Sequence, residues 1–207
     1  MTQAARAPLA LPALPASLLR GFLDPEVCRQ VAEMAEAMHQ AGELCRNVFQ
    51  GSAFFVNLDQ RDALRPTDPG WAVIDRLVHE IVAALQPGPR GPDTYLGDFL
   101  SYITPGGFVV RHRDDWQLPD PEARCRVRCN TFVSKDPGSG DPCLGPEGDE
   151  LRLRPETGDL LVFSPSLTPH RATRVVGGPK IMVSIGFVVE TAAFLEILRR
   201  IGSPVAA

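Results

Sequence analysis

From Gly91 onward the chain is built of short runs. Stretches rich in β-branched and aromatic residues alternate with Gly, Pro and Asp. The runs are TYLGDFLSYI (94–103), FVVRHRD (108–114), RCRVRCNTFVS (124–134), ELRLR (150–154), DLLVF (159–163), HRATRVV (170–176) and KIMVSIGFVV (180–189). Strands this short are not stable alone and must bury a face against one another. Seven of them with tight connections predict a sandwich or jelly roll. The segment DPGSGDPCLGPEGD (136–149) lies between two runs and is rich in Gly and Pro. It predicts a loop that forms a rim or lid.

The first ninety residues read differently. Asp24-Pro25-Glu26 is a helix start, with Asp24 as N-cap and Pro25 at the first helical position. Val27, Cys28, Val31, Met34, Ala35 and Met38 follow at helical spacing. Asp68-Pro69-Gly70 repeats the signal, and Trp71, Ile74, Leu77, Val78, Ile81, Val82 and Leu85 make an apolar stripe that Pro87 ends. AFFVNL (53–58) between them predicts a strand, and AAFLEILRRIG near the end predicts a short helix. The opening stretch resembles a signal peptide in its alanine-rich apolar character, but Pro8, Pro12 and Pro15 break the helix an h-region needs. It reads instead as a proline-rich extended arm. The expectation is one α+β, mainly β domain over 1–207: an arm and helical support at 1–90, a β core at 91–190, and a helix and tail at 191–207.

Composition narrows the function. Hydrophobic residues make up 44% and charged residues 22%, enough for a core. A net charge of −4 argues against nucleic acid as partner, because phosphate binding needs a positive field. No apolar run approaches ~18 residues, so no membrane helix is expected. Five cysteines with no CxxC pattern predict reduced, mostly buried thiols in a cytoplasm.

The chemistry begins at RHRDDW (111–116). On a strand, side chains two apart share a face, so His112 and Asp114 would point together and Asp115 away. Two ligands hold a metal poorly. The chain has four histidines, and the third ligand must come from His39, His79 or His170. The first two lie in helical patterns, where a polar-face histidine is ordinary. His170 opens a run after the turn SPSLTP. Two histidines and one carboxylate make the facial triad of non-haem iron(II), which leaves coordination positions open. The bland alternative is an HxD pair arising by chance, with His112 on a rim. Lys180 opens the next run and Ser184 follows four residues on, on the same face. A cation beside a hydroxyl suits a carboxylate; a solvated lysine beside a turn is the competing reading.

Taken together, YITPGGFVVRHRD, then GDLLVFSPSLTPH, then VxGGPK resemble the iron(II)/2-oxoglutarate dioxygenases of the prolyl-hydroxylase type over roughly residues 95–190. The order of the blocks is specific for the superfamily and says nothing of a substrate. The resemblance implies a double-stranded β-helix with N-terminal helices packed on it. It implies Fe(II) held by His112, Asp114 and His170, with 2-oxoglutarate and dioxygen as cosubstrates and Lys180 pairing with the distal carboxylate. It implies that Tyr102 reaches toward the cosubstrate and that Gly106 forms the turn before the ligand strand; Ser184, beside Lys180, and Asn130 complete the expected cofactor-binding residues. The implied reaction is hydroxylation of an unactivated C–H coupled to decarboxylation of 2-oxoglutarate to succinate. Two departures stand out: Phe132 replaces a tyrosine of the oxygen-sensing relatives, and Lys180 replaces an arginine common elsewhere. Asp114 is intact, whereas a halogenase of the superfamily vacates that position.

The substrate is read from the 124–134 run. Arg124, Arg126, Arg128, Asn130 and Phe132 share one face, and Cys125, Val127, Cys129, Thr131 and Val133 the other. The arginine face either meets solvent or looks into the barrel mouth. On the second reading Arg128, and less directly Arg174, grips a carboxylate of a small organic substrate. Trp116 is either a pocket wall or core. The competing functions are a peptidyl hydroxylase, a cupin-like metal protein that is not an oxygenase, and a non-catalytic binding module.

Overall fold

The computed structural model describes residues 14–47, 53–58, 69–95, 97–118, 120–121 and 123–202. Two antiparallel sheets face each other, and helices cover the outer side of the larger one. The large sheet contains β1 (Ala16–Leu19), β10 (Leu160–Phe163), β7 (Arg124–Ser134), β12 (Lys180–Glu190), β5 (Phe99–Ile103), β3 (Ala53–Asn57) and β2 (Cys45–Asn47), in that order. The short β4 (Gly91–Pro92) pairs with the far end of β12. The small sheet runs β6 (Val109–His112), β11 (His170–Ala172), β8 (Pro142–Leu144), β9 (Leu151–Arg152). No helix among the described residues is long and apolar enough to cross a membrane.

Period-two alternation divides the large sheet into two chemistries. Val127, Cys129 and Val133 of β7, with Ile181, Val183, Ile185 and Phe187 of β12, join one core with the helices. Into that core α1 (Pro25–Gln40) sends Cys28, Val31, Met34, Ala35 and Met38. Trp71, Ile74, Leu77, Ile81 and Leu85 come from α2 (Pro69–Leu85), and Phe194, Ile197 and Leu198 from α3 (Thr191–Ile201). Asp24 caps α1 as its sequence predicts, its carboxylate accepting from the Glu26 N–H at 2.7 Å. The matching cap expected at Asp68 lies outside the described residues. The opposite face of the sheet carries Arg128, Asn130 and Phe132, then Lys180, Met182 and Ser184.

Several boundaries differ from expectation. The proline-rich arm is a strand from Ala16, paired antiparallel with β10, because Ala16 is buried against Phe163 at the sheet edge; Pro8 and Pro12 lie outside the described residues. The run 94–103 forms a strand only from Phe99, since Asp93 to Gly97 make a turn closed by the Gly97 N–H on the Asp93 carbonyl. The segment 136–149 is not a lid. Pro142–Leu144 within it is β8, which pairs with both β11 and β9.

The small sheet is braced at its ligand-bearing strands. Glu150 accepts from Arg111, the residue before His112, and from Arg171, the residue after His170. Both guanidiniums hold its carboxyl well below the ordinary range, at about 2. Gly106 has φ of +92°, a region costly for any residue with a Cβ. Its N–H donates to the Val175 carbonyl and closes the turn into β6, as its place before the ligand strand suggests.

Candidate metal centre

His112 and His170 sit opposite each other as Cα partners on β6 and β11. Their rings lie 4.1 Å apart between centroids. Asp114 completes the group: each of the three residues offers a ligand atom within 4.8 Å of the others. The expected shared strand face is not how the carboxylate arrives. Strand β6 ends at His112, and Asp114 lies in the following turn, where its N–H donates to the Pro165 carbonyl at 3.0 Å.

The donor set fits a metal. The Nδ1 of His112 lies 2.8 Å from the Val110 carbonyl, and that of His170 lies 3.3 Å from the Thr168 carbonyl. Each Nδ1 therefore carries a proton, which leaves Nε2 as the ring nitrogen for a metal; in the metal-free site the His112 Nε2 donates to Asp114, and that bond raises its imidazole. The Nε2 of His112 is 3.3 Å from Asp114 Oδ1. Burial pushes His170 down to about 4, with the His112 charge adding to the effect, so its imidazole is neutral at pH 7. Burial raises the Asp114 carboxyl, but the His112 hydrogen bond and the nearby positive charge, that of Arg128 included, outweigh it and leave the carboxyl below its ordinary range. One anionic oxygen and two imidazole nitrogens suit a divalent first-row metal.

The three groups open onto a cavity of about 400 Å³ between the sheets. The small sheet contributes Val109, Val110, Pro142, Leu144 and Ala172 to its lining. Aromatic side chains dominate the other side: Phe54 and Phe55 of β3, Phe99 of β5, Phe132 and Phe163. Polar groups are few. Lys180 is 2% exposed, and its Nζ donates to the Gly140 carbonyl at 3.0 Å. Burial, with Lys135 nearby, lowers it to about 8 against the pull of Asp141. Ser184 donates to Asn130 Oδ1 at 2.7 Å on the cavity face.

Arg128 lines the cavity and is 3% exposed. Its guanidinium donates to Asp93 Oδ2 at 2.7 Å and to the Gly97 carbonyl at 2.6 Å, while its buried Nε has no partner. Room for it comes from Gly186, where a Cβ would meet Arg128 Nη1 at 2.4 Å. The arginine face of β7 thus looks inward at 126 and 128 rather than to solvent.

Three expectations fail. Tyr102 points away from the cavity: Phe99, Ser101 and Ile103 of β5 face it, so alternation turns Tyr102 to the helix side. There its hydroxyl donates to Glu36 at 2.5 Å and its ring stacks on His39, which is therefore a packing histidine. Arg174 lies beyond the end of β11 on an exposed turn, donating to the Gly106 carbonyl over the Phe108 ring. Trp116 is 68% exposed and lines no part of the cavity, because the turn after Asp114 carries it outward. The sequence reading also missed Asp93, a buried carboxylate between Arg126 and Arg128. It stands just ahead of the run 94–103, in the punctuation between runs, where no alternation marks a side chain as buried.

No protein-family model matches the sequence, and no curated protein matches it. Solved structures share its fold. A prolyl hydroxylase from Trichoplax adhaerens, in complex with a hypoxia inducible factor peptide fragment, is similar at 14% identity and a TM-score of 0.63, covering 87% of this chain and 86% of that one. HygX from Streptomyces hygroscopicus, with nickel and 2-oxoglutarate bound, is similar at 12% identity and 0.62, covering 84% and 83%. SnoN of nogalamycin biosynthesis, a non-haem α-ketoglutarate-dependent epimerase, is similar at 14% identity and 0.63, covering 94% and 89%.

Proposed function

We propose that this chain is an Fe(II)/2-oxoglutarate-dependent dioxygenase, built on a double-stranded β-helix, that hydroxylates an unactivated C–H of a small, carboxylate-bearing substrate. One observation carries the reading: His112, Asp114 and His170 converge within 4.8 Å at a cavity that also holds a buried lysine. The similar folds of HygX, with 2-oxoglutarate and nickel, and of SnoN support it. The five thiols are free, which accords with a reducing cytoplasm.

Each residue has a definable task. His112 and His170 present Nε2 and Asp114 presents an ionised carboxylate, so three protein atoms hold the metal and leave positions open. When bound, Fe(II) with 2-oxoglutarate and dioxygen supplies the oxidative chemistry, releasing succinate and carbon dioxide. Lys180, with Ser184 and Asn130 on the same face, holds the distal carboxylate of 2-oxoglutarate. The ammonium is desolvated, so its attraction for an anion is far stronger than at a surface. Arg128 turns toward a substrate carboxylate, and the aromatic lining excludes water from the reacting carbon.

Tyr95 and Val110 line the cavity while 46% and 50% exposed, which favours a second reading in which a peptide carries the reacting carbon across the mouth. The Trichoplax neighbour has a peptide bound. The test is anaerobic reconstitution with Fe(II) and 2-oxoglutarate, then exposure to oxygen with amino acids, organic acids and short peptides. Succinate release dependent on one of these classes is expected. Failure to bind 2-oxoglutarate in the metal-loaded protein would reject the assignment.

A further inference from the structure

We propose that Asp93 and Arg126 form a buried strut that positions the metal ligand Asp114; this rests on reading His112, Asp114 and His170 as ligands. Asp114 lies past the end of β6, so no ladder partner fixes it. Two backbone contacts do. Its N–H donates to the Pro165 carbonyl at 3.0 Å, and its own carbonyl accepts from Arg126 Nη1 at 2.6 Å.

Arg126 is fully buried, at 2% exposed. Its Nε donates to Asp93 Oδ1 at 3.1 Å, and its guanidinium lies over the Tyr95 ring at 5.2 Å. Its backbone N–H donates to Ser166 Oγ, one residue beyond Pro165. The arginine and the 165–166 turn therefore grip Asp114 from its two sides. Asp93 is itself fixed, accepting from the Tyr95 N–H at 3.1 Å and holding Arg128 through its second oxygen.

Burying such a pair is weak ground for stability, since desolvation offsets most of the attraction. A planar guanidinium bridging a carboxylate and a ligand's carbonyl is good ground for geometry. Partners outside the ligand set that orient it typically change metal affinity 10–100-fold when removed. One carboxylate serving both Arg126 and Arg128 also joins the wall of the cavity to the metal centre.

The experiment titrates the metal-free full chain with Ni(II), a redox-inert probe, by calorimetry, with a urea unfolding curve for every variant. Arg126→Met should bind Ni(II) roughly 10–100-fold more weakly while still unfolding cooperatively. Asp93→Asn should do the same, and the double variant should be no worse than the weaker single by more than about threefold, because both cut one strut. Arg20→Met cuts another arginine pair to a buried carboxylate, Asp159, that touches none of the three ligands, so its Ni(II) affinity should stay within about threefold of the parent. Should Arg126→Met not fold, Arg126→Lys keeps the charge but offers one donor point for two acceptors, and should still weaken Ni(II). Parental Ni(II) affinity in a folded Arg126 variant, additive losses in the double, or equal loss in Arg20→Met would overturn the strut. A parent that takes up no Ni(II) would instead overturn the ligand assignment beneath it.

Discussion

Lys180 is a costly side chain to bury, and replacing it with methionine should move stability and binding in opposite directions. Its ammonium is buried with one carbonyl as hydrogen-bond partner, Gly140. The nearest carboxylate, Asp141, is already engaged by Lys135 at 2.7 Å and by Arg152 at 2.9 Å. Folding lowers the lysine from 10.5 to about 8. At 1.36 kcal/mol per pH unit, that is a cost of about 3 kcal/mol in the folded state. Below pH 8 the lysine is charged both folded and unfolded, and the whole cost is present. Between 8 and 10.5 the unfolded chain holds the extra proton, so stability rises with pH; above 10.5 the cost is gone. Lys180→Met should therefore stabilise the metal-free protein by about 3 kcal/mol at pH 7, with the gap over the parent closing toward pH 10.5. Urea unfolding at pH 7 and at pH 9.5 measures this. The same variant loses a charge-assisted contact worth about 1.5–3 kcal/mol, so 2-oxoglutarate should bind roughly 10–100-fold more weakly. In the parent, 2-oxoglutarate affinity should be flat below pH 8 and fall about tenfold per unit above it, as the ammonium is lost. A Lys180→Met protein less stable than its parent at pH 7, with unchanged 2-oxoglutarate affinity, would refute the reasoning on both counts.

Three further substitutions probe the sheet face, the arginine and the metal ligands in turn. Tyr102→Phe should lower stability by about 1.5–3 kcal/mol through loss of the bond to Glu36, while changing 2-oxoglutarate affinity less than twofold; a large affinity loss would return Tyr102 to the site. Gly186→Ala puts a Cβ against the Arg128 guanidinium and should cost about 1–3 kcal/mol, read as a lower urea midpoint, and raise the substrate KM more than it changes substrate-free turnover of 2-oxoglutarate. Asp114→Ala removes the sole carboxylate of the triad, so Ni(II) binding and succinate formation should both be lost; retention of either speaks against the site.

What the sequence made legible follows from which forces are local. Strands β7 and β12 appear almost residue for residue in the runs at 124–134 and 180–189, because each is long and alternates two chemistries. Asp24-Pro25 marks the start of α1 because a cap is a contact within one turn. His112, Asp114 and His170 were found because the histidines are few and the spacing is distinctive. The failures are failures of range or of face. Ala16–Leu19 carries no strand alternation of its own, and only the open edge of β10 makes it a strand. Tyr102 sits one residue from two cavity-lining neighbours, so a block match without a register put it on the wrong side of the sheet. Trp116 and Arg174 follow strand ends, where alternation ceases to apply. Asp93 is defined by what it holds, Arg126 and Arg128, more than thirty residues away in the chain.

The two halves of the proposed chemistry hang from different sheets. Both histidines belong to the small sheet, while Lys180, Ser184, Asn130 and Arg128 all belong to the large one. What separates them is the set of apolar side chains wedged between: Phe132, Phe163, Leu161 and Met182 from one side, Leu144 and Leu153 from the other. These six act as spacers, and their bulk gauges how far the anchoring lysine stands from the imidazoles. Anyone reshaping this protein for a new substrate should therefore carve at Phe54 and Phe55, on β3 between β5 and β2 and outside that wedge, and leave the shims alone.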